Sequence, residues 1–532
     1  MPSFRILPWL SVLALAACNI HPPQDAHPPQ DAHPAQDAHL AQDAHTGGPP
    51  AAAFDPAASQ RLDEALRLIA NKQFDAGLAA LRSVIDARSF SGLPVEDQYR
   101  ALVAAGRAEM GFQGWSLARD YMIRAAALPG ATADDHLALI TIGAQLQDEP
   151  RIAESLIAVA KKWPDRLGDI DEDYLTRFLA GQSKLPRATA LVLLQSLYAA
   201  NFKLKWDIEP SESWRDLVLL LIEQGRQTEA EEVSARITDP LVLIAIRADR
   251  RFDTVVAAHP ERFDAEAAAD RQIQRLQAKD EEGAGAAASN SLRVATLLMG
   301  ALTRRHHAAA ALAIADDAVA EIRDTNYPER RFVDYLAEYG DLLTERAFTL
   351  LELGLWDEGV AQLKASAGEF EHDRDNVGAA ISLAEVECDL SRPADARSVL
   401  AQITAGLSPY GQMRVEGVRL DAATQDGDAA QVARSLSYLK AHRGEAPASY
   451  LSALIIANQT DRAAEELRRQ LLDPDTRQSA LGNVQTYTPD QATPRDLEMR
   501  ARWQAVLARP DVQQAIAKVG RVAAYDMEGS LF

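Results

Sequence analysis

The sequence has few of the residues that build disulfide scaffolds, aromatic binding sites or membrane spans. It contains two cysteines in 532 residues, and Phe, Trp and Tyr together make up 6% of the chain. Two cysteines exclude a fold held together by many disulfides. Beyond the N-terminal region, no stretch reaches the roughly 18 continuous apolar residues of a transmembrane helix. The core must therefore be built mainly from aliphatic residues, and hydrophobic residues account for 47% of the chain.

Sequence motifs of the common enzyme classes are also absent. The chain has no HExxH, GxSxG, P-loop, CxxC or GxGxxG pattern. Its formal net charge of −22 argues against nucleic acid and against electrostatic docking on anionic lipid, because both are negatively charged. We expect a protein that is not an enzyme, needs no cofactor and binds no nucleic acid. An active site assembled from distant residues is the alternative.

Residues 1–17 have the pattern of a signal peptide that is removed on export. Arg5 supplies positive charge, and a short apolar run begins at Trp9 and ends with the tetrapeptide LAAC at Cys18. This ending resembles the lipobox of bacterial lipoproteins. The resemblance implies that Cys18 becomes the N-terminus and carries acyl chains, which anchor it stably in a membrane. Asn19, where inner-membrane lipoproteins typically have Asp, favours the outer membrane.

Residues 18–57 form a low-complexity segment. They repeat the hexad HPPQDA with small variations, and such a composition cannot bury a core. We predict a disordered, Pro- and His-rich tether between the lipid and the folded body. Its histidines alternate with aspartates and offer a weak transition-metal site or an acid response as alternatives to a plain spacer. These histidines are His21, His27, His33 and His39.

Lipidation of Cys18 would leave Cys388 without a cysteine partner. Cys388 stands in the apolar stretch LAEVECDL. We interpret it as a small buried hydrophobic residue, with a reactive thiol as the alternative. No intrachain disulfide is expected.

The body of the chain is organised around units such as Trp214–Pro240. This stretch holds two apolar-periodic runs separated by Gly225, with Trp214 at position 4 and Ala230 at position 20 of a 34-residue frame. The unit resembles the tetratricopeptide repeat, a helix–turn–helix module. The resemblance implies an all-α solenoid, an α–α superhelix in which each helix pair packs on its neighbours.

The other units align on position 20, where a small residue lets the two helices cross closely. About 11 helix pairs fit this register. One of them is degenerate, between Ile244 and Val256, and another is aligned on Ala310, which places Leu298 at position 8. The residues that define the register are Gly77, Ala118, Ala153, Trp214, Ala230, Gly359 and Ala396.

Two interruptions and a divergent tail suggest domain limits. The segment Lys279–Asn290 is charged and then Gly/Ala-rich, and we predict a hinge there, with a flexible loop at Gly283–Gly285. It separates two blocks of repeats, residues 58–278 and 291–471. Phe202–Glu212 is a second interruption, too long for a simple turn.

The C-terminal residues 472–532 depart from the repeat. They carry several prolines and then two short helices, in the last of which Asp511 caps the start and Gly520 the end. Atypical terminal elements of this kind cap solenoids.

The resemblance also implies a binding groove lined by the first helix of each pair, with positions 2, 5, 9, 12 and 13 facing inward. Here the residues at these positions include Arg100, Arg107, Met110, Arg215, Met299, Phe348 and Glu352. The arginines would form basic islands for an acidic or carboxylate group of a partner, and the apolar side chains would anchor it. Packing on neighbouring helices is the alternative for each.

We predict an outer-membrane lipoprotein that faces the periplasm and serves as a protein–protein interaction scaffold in envelope assembly. Its partners would be other envelope proteins or peptides. A carbohydrate- or peptidoglycan-binding lipoprotein is the alternative, which exposed Trp and Tyr clustered in one groove would favour. A hydrolase is a third possibility, and no motif supports it.

Overall fold

The structure is a computed structural model that describes residues 56–181, 184–285, 291–368, 370–371, 374–403, 406–488 and 491–529. The predicted lipid site Cys18, the tether and its four repeated histidines lie outside these residues. The described chain consists mainly of α-helices, with short 3-10 turns and two short strand pairings, so the all-α prediction is confirmed. None of the described helices is long and apolar enough to cross a membrane.

Contacts divide the described chain into two compact units. The smaller contains residues 56–172 and 184–202, and the larger contains residues 173–181 and 203–529. The chain passes between them for the last time at Phe202, inside the predicted interruption Phe202–Glu212. The helices of the smaller unit are α1 (Pro56–Ala70), α2 (Phe74–Ile85), α3 (Val95–Gly111), α4 (Trp115–Ala126), α5 (Ala133–Leu146), α6 (Glu149–Lys162) and α8 (Arg187–Ala199).

The larger unit contains the remaining helices and all four strands. Its helices are α7 (Glu172–Ala180), α9 (Ser211–Glu223), α10 (Gln227–Ser234), α11 (Pro240–Ala248), α12 (Asp253–Ala258), α13 (Ala265–Gly285), α14 (Leu292–Arg304), α15 (Ala308–Arg323), α16 (Pro328–Arg331), α17 (Tyr335–Glu352), α18 (Trp356–Gly368), α19 (Val377–Asp389), α20 (Pro393–Leu400), α21 (Pro409–Asp426), α22 (Ala429–Ala441), α23 (Pro447–Ile456), α24 (Thr460–Leu472), α25 (Arg477–Asn483), α26 (Pro494–Leu507) and α27 (Pro510–Val519). Its strands are β1 (Phe370–Glu371), β2 (Arg374–Asp375), β3 (Thr486–Tyr487) and β4 (Ala524–Tyr525).

The turn inside a helix pair repeatedly contains one residue in the left-handed backbone conformation. Glycine adopts this conformation without steric cost, and the turns with glycine are at Gly225, Gly354 and Gly427, with φ of 72–76°. Six further pairs use a residue with a Cβ atom, at φ of 53–61°: Lys72, Gln113, Gln147, His306, Ser391 and Asn458. The recurrence of this turn is the structural counterpart of the repeat.

Small residues allow the two helices of a pair to cross closely. A Cβ atom added to Gly77 would lie 2.7 Å from Cδ1 of Ile69, and one added to Gly359 would lie 2.6 Å from Cδ2 of Leu351. Fully buried alanines take this place in other pairs: Ala118, Ala153, Ala230 and Ala396. Trp214 is also fully buried, so all the register-defining residues lie in the interior of the described chain.

One unit is shifted by one residue from its predicted alignment. Ala310 is exposed and Ala311 is fully buried, while the left-handed turn residue is His306. Position 20 is therefore Ala311, and position 8 is Met299 and not Leu298. The four consecutive alanines at the start of α15 conceal the frame in the sequence, because any of them is small enough for the crossing.

The long helix α13 accounts for the widest gap between predicted units. Its Ile273 and Leu276 join the apolar cluster of α14, α15 and α17. The prediction of a loop at Gly283–Gly285 was wrong, because α13 continues through Gly285. The preceding charged residues favour helix and extend it into the Gly/Ala-rich stretch. Residues 286–290 lie outside the described part.

The C-terminal region packs on a helix from early in the larger unit. Ala248 at the end of α11 shares an apolar cluster with Leu481 of α25 and with Val512 and Ile516 of α27. Two short helices, α26 and α27, are present as expected. Helix α27 begins at Pro510, one residue before the predicted cap Asp511.

Candidate binding surface

Polar side chains link the first helices of neighbouring pairs in the smaller unit. Nη2 of Arg100 on α3 lies 3.6 Å from Oδ1 of Asp63 on α1. On the other side of α3, the Tyr99 hydroxyl donates a hydrogen bond of 2.6 Å to Oδ2 of Asp135 on α5. Burial raises the pKa of Tyr99, and its bond to Asp135 raises it further. Polar contacts thus link α3 to both α1 and α5.

The larger unit contains equivalent links. Nη1 of Arg293 on α14 lies 3.5 Å from Oε2 of Glu338 on α17. The guanidinium of Arg414 on α21 donates to both carboxylate oxygens of Glu385 on α19, at 2.6 and 3.0 Å, and to the Ser382 hydroxyl at 2.9 Å. Ion pairs between neighbouring first helices therefore recur in both units.

The arginines of these links occupy the same place in the repeat. Arg100, Arg293 and Arg414 each stand at position 2, counted from Ala118, Ala311 and Val432 at position 20. Each of these arginines pairs with a carboxylate on a neighbouring first helix. Only Arg293 also lies in the first turn of its helix, where the helix dipole opposes a positive charge.

Glu338 has the electrostatic setting most sensitive to pH on this surface. Burial raises its pKa to about 7, Arg293 opposes the shift, and three aspartates add to it: Asp341, Asp334 and Asp173. Part of the Glu338 population is consequently neutral near pH 7. The ion pair with Arg293 weakens as the pH falls through this range.

The three predicted basic islands have different environments. Arg100 pairs with Asp97 at 3.0 Å in addition to Asp63, and Arg215 pairs with its neighbour Asp216 at 2.9 Å. Two of the three arginines are thus matched by carboxylates and do not form basic islands. Arg107 is exposed, and no carboxylate among the described residues lies within ion-pair distance of it.

The other predicted groove residues are less accessible than expected. Met110 packs on the cluster that contains Ala118 and Met122, and Phe348 packs beside Ala347 and Leu351. Both are half-buried. The remaining two, Met299 at 0% exposure and Glu352 at 8%, are buried and do not line an accessible surface.

The predicted groove residues differ from the observed surface for two physical reasons. The corrected register places Met299 at position 8, where the two helices of a pair cross and the side chain is buried between them. Glu338 escaped the sequence analysis because it precedes position 1 of its repeat, in the part of α17 that extends beyond the motif. The corrected frame would have identified Arg293, since it then falls at an inward position.

Pockets and aromatic residues do not favour a sugar site in the described part. An open cleft of about 380 Å³ is lined by Glu416, Arg419, Gln431, Arg434 and Tyr438. Its only aromatic lining residue, Tyr438, stacks on His442 with ring centroids 4.3 Å apart. None of the tryptophans among the described residues is exposed. Within the same residues, no group of three or more His, Cys, Asp or Glu is placed to hold a metal ion.

Cys388 is buried, and burial raises the pKa of its thiol well above the usual range. This environment agrees with a packing role on α19. It opposes formation of the thiolate that a reactive cysteine needs.

Comparison with known proteins gives matches among solved structures only. No protein-family model and no curated protein matches the chain. A structure of Naa15/Naa10 bound to HypK-THB is 13% identical with a TM-score of 0.21, over 87% of this chain and 76% of that chain. The APC/C Cut9–Hcn1 hetero-tetramer is 10% identical with a TM-score of 0.27, over 86% of this chain and 96% of that chain.

The TPR domain of P58(IPK) is 11% identical with a TM-score of 0.18, over 87% of this chain and 99% of that chain. Similarities at this level transfer no residue roles and no activity.

Proposed function

We propose that this chain is an outer-membrane lipoprotein that faces the periplasm and binds other envelope proteins or peptides through its stacked helix pairs. It acts by binding and not by catalysis. The observation that carries the location is the LAAC ending at Cys18, followed by Asn19. The tether would let the folded body reach partners at a distance from the membrane.

The binding role is supported by the first helices of the pairs. Their linked polar groups recur in both units, from Asp63–Arg100 to Glu385–Arg414. Arg107 adds an exposed positive charge that no carboxylate among the described residues matches, which suits an acidic group on a partner. A chain of net charge −22 would steer cationic partners towards it, and salt would weaken this steering.

Phase partitioning in a detergent tests the anchor. Cys18→Ser should move the protein from the detergent phase to the aqueous phase, because the acyl chains are attached to this thiol. Cys388→Ser is the matched control and should stay in the detergent phase. Recovery of the Cys18→Ser protein in the detergent phase at the wild-type level would refute the proposal.

Partner binding is tested with two exposed cations on different helices. Arg107→Glu lies on a first helix, whereas Lys161→Glu lies on the second helix α6. Crosslinking in envelopes should lose partners with the Arg107 variant and retain them with the Lys161 variant. Equal crosslinking patterns would contradict binding by the first helices.

A further inference from the structure

The segment that follows α27 lies extended against helices from much earlier in the chain. It runs over Arg521–Gly529. Three of its backbone N–H groups donate to such residues: Arg521 to the Ala248 carbonyl at 3.0 Å, Asp526 to Oε1 of Glu266 at 2.8 Å, and Glu528 to the Arg304 carbonyl at 2.9 Å. Ala248 and Arg304 are the last residues of α11 and α14. One side of the segment is therefore bound mainly through its main chain.

The other side of the segment pairs with β3. Strand β4, which lies within the segment, is parallel to β3. The N–H of Thr486 donates to the Ala523 carbonyl at 3.0 Å, and the N–H of Thr488 donates to the Tyr525 carbonyl at 3.2 Å. The Gln485 side chain adds two bonds, from the Ala523 N–H at 2.8 Å and to the Arg521 carbonyl at 3.0 Å. This is the geometry of strand addition, in which main-chain bonds hold an extended peptide.

From Val522 to Met527, exposed side chains alternate with partly or fully buried ones, and Glu528 after them is also buried. Tyr525 and Met527 are buried, and Asp526 between them is exposed. The ring of Tyr525 lies 6.1 Å from that of Tyr487 on β3, centroid to centroid. Alternation of this kind lets pockets select every second side chain of a bound peptide. Here the selected residues are an aromatic residue and a methionine two positions later.

Glycines stand at both ends of the segment because it approaches its neighbours too closely for a side chain. A Cβ atom at Gly520 would lie 2.4 Å from the Ala248 carbonyl oxygen, and one at Gly529 would lie 2.1 Å from Cδ2 of Tyr487. The first of these contacts is with backbone, which cannot rotate away. The chain is thus closely fitted at both ends of the segment.

The helix before the segment does not need it for its own packing. Helix α27 ends at Val519, and its Val512, Ile516 and Val519 join Leu481 in the C-terminal apolar cluster. Release of the segment would leave this cluster intact. No described helix follows the segment, so its release would break no connection between the described helices.

We propose that the ends of α11 and α14 and strand β3 form a groove for an extended peptide, which the chain's own C-terminal segment fills. A partner segment with an aromatic residue and a methionine two positions apart competes for this groove. The inference goes beyond the proposed function and does not depend on the lipid anchor, since purified protein lacking the acyl chains tests it.

A labelled peptide tests whether the groove is a separable binding site. The probe is a fluorescent peptide of residues 521–529, RVAAYDMEG, added to a chain that ends at Gly520 and to the complete chain. The shortened chain should bind it saturably. The complete chain should bind at least about tenfold more weakly, because the covalent segment competes at a high effective concentration. The same peptide carrying Met527→Asp should not bind the shortened chain.

A point variant of the complete chain covers the case in which the shortened chain does not fold. Gly520→Ala places a methyl group against the Ala248 carbonyl and should loosen the segment, so the labelled peptide should bind better than to wild type. Gly444→Ala, where a Cβ atom meets nothing within 4 Å, is the control and should behave as wild type. Binding to Gly520→Ala as weak as binding to wild type would overturn the proposal if the shortened chain does not fold. Equally weak binding by a folded shortened chain would overturn it as well.

Discussion

The helix pairs of the smaller unit and the C-terminal junction of the larger unit are held together over very different distances along the chain. In the first region, Arg82 and Glu109 form an ion pair across 27 positions. In the second, Arg521 bonds to Asp253 across 268 positions. A solenoid with free ends is stabilised as a sum of neighbouring contacts. The larger unit therefore has a long-range contact in addition to the contacts between neighbouring pairs. The two residues of this contact meet only if every helix pair between them along the chain is correctly placed.

The largest effect is expected at the junction. The side chain of Asp249 is fully buried, accepts a hydrogen bond from the N–H of Arg251 at 2.9 Å and lies 2.6 Å from the guanidinium of Arg251. The backbone of Asp249 forms an isolated β-bridge with Gly520. Asp249→Ala should cost about 3 kcal/mol because it removes the partner of a largely buried charge. Hydrogen exchange should show the loss in the larger unit only. The control Asp253→Ala removes a more exposed partner, that of Arg521, and should reduce the free energy of unfolding by less. Equal hydrogen exchange in the two variants would contradict a special role of the buried Asp249 at the junction.

The crossing inside one pair should come next. Gly359→Leu should cost about 2–3 kcal/mol, because its Cβ atom would lie 2.6 Å from Leu351 and 3.2 Å from the backbone oxygen of Ala347. Gly106→Leu should cost nearer 1 kcal/mol, because its close contacts are with the flexible side chain of Met122. Urea unfolding measures both. A larger loss for Gly106→Leu would show that side-chain flexibility does not decide the cost.

The contact between neighbouring pairs should respond to pH. The pKa of Glu338 is about 7 in the folded chain, above its ordinary value of 4.5. The folded state therefore retains a proton that the unfolded chain releases, and stability falls as the pH rises from about 4.5 to 7. Glu338→Gln should be more stable than wild type at pH 8, by at most about 3 kcal/mol. The difference should disappear near pH 4.5. A constant difference between the two pH values would contradict the raised pKa.

The smallest effects concern two glycines that make no close contact. A Cβ atom at Gly225 or Gly417 would meet nothing within 4 Å, but Gly225 has φ of +72°. Gly225→Ala should cost about 1 kcal/mol through backbone strain alone. Gly417→Ala, inside α21, should stabilise by about 0.5–1 kcal/mol through helix propensity. Thermal unfolding should give shifts of opposite sign, and shifts of the same sign would show that the turn does not require glycine.

The helix pairs could be predicted because their determinants are local. Position 20 is small, the second helix begins a few residues earlier at an aromatic residue such as Phe74, Trp115 or Trp356, and a turn residue lies between. The local signal is ambiguous in the alanine run before Leu312, because any of these alanines could stand at position 20. There the predicted repeat alignment was one residue away from the observed one. The same shift moved Met299 from an expected surface position to a crossing.

The junction could not be predicted because no local pattern encodes it. Whether Gly520 reaches Ala248 depends on the orientation of every intervening helix pair, and small angular differences accumulate along a series. The candidate binding surface could be predicted in part. Arg100 was found by its repeat position, whereas Glu338 was missed because it lies outside the motif.

Hydrogen exchange over residues 521–529 of the wild-type chain tests most directly whether the larger unit is joined at its C-terminus. The N–H groups of Arg521, Ala523, Asp526 and Glu528 donate to acceptors on the protein. They should exchange far more slowly than in the free peptide of the same sequence, and Gly520→Ala should remove this protection while α1 and α2 keep theirs. Exchange as fast in the wild-type chain as in the free peptide would contradict the junction.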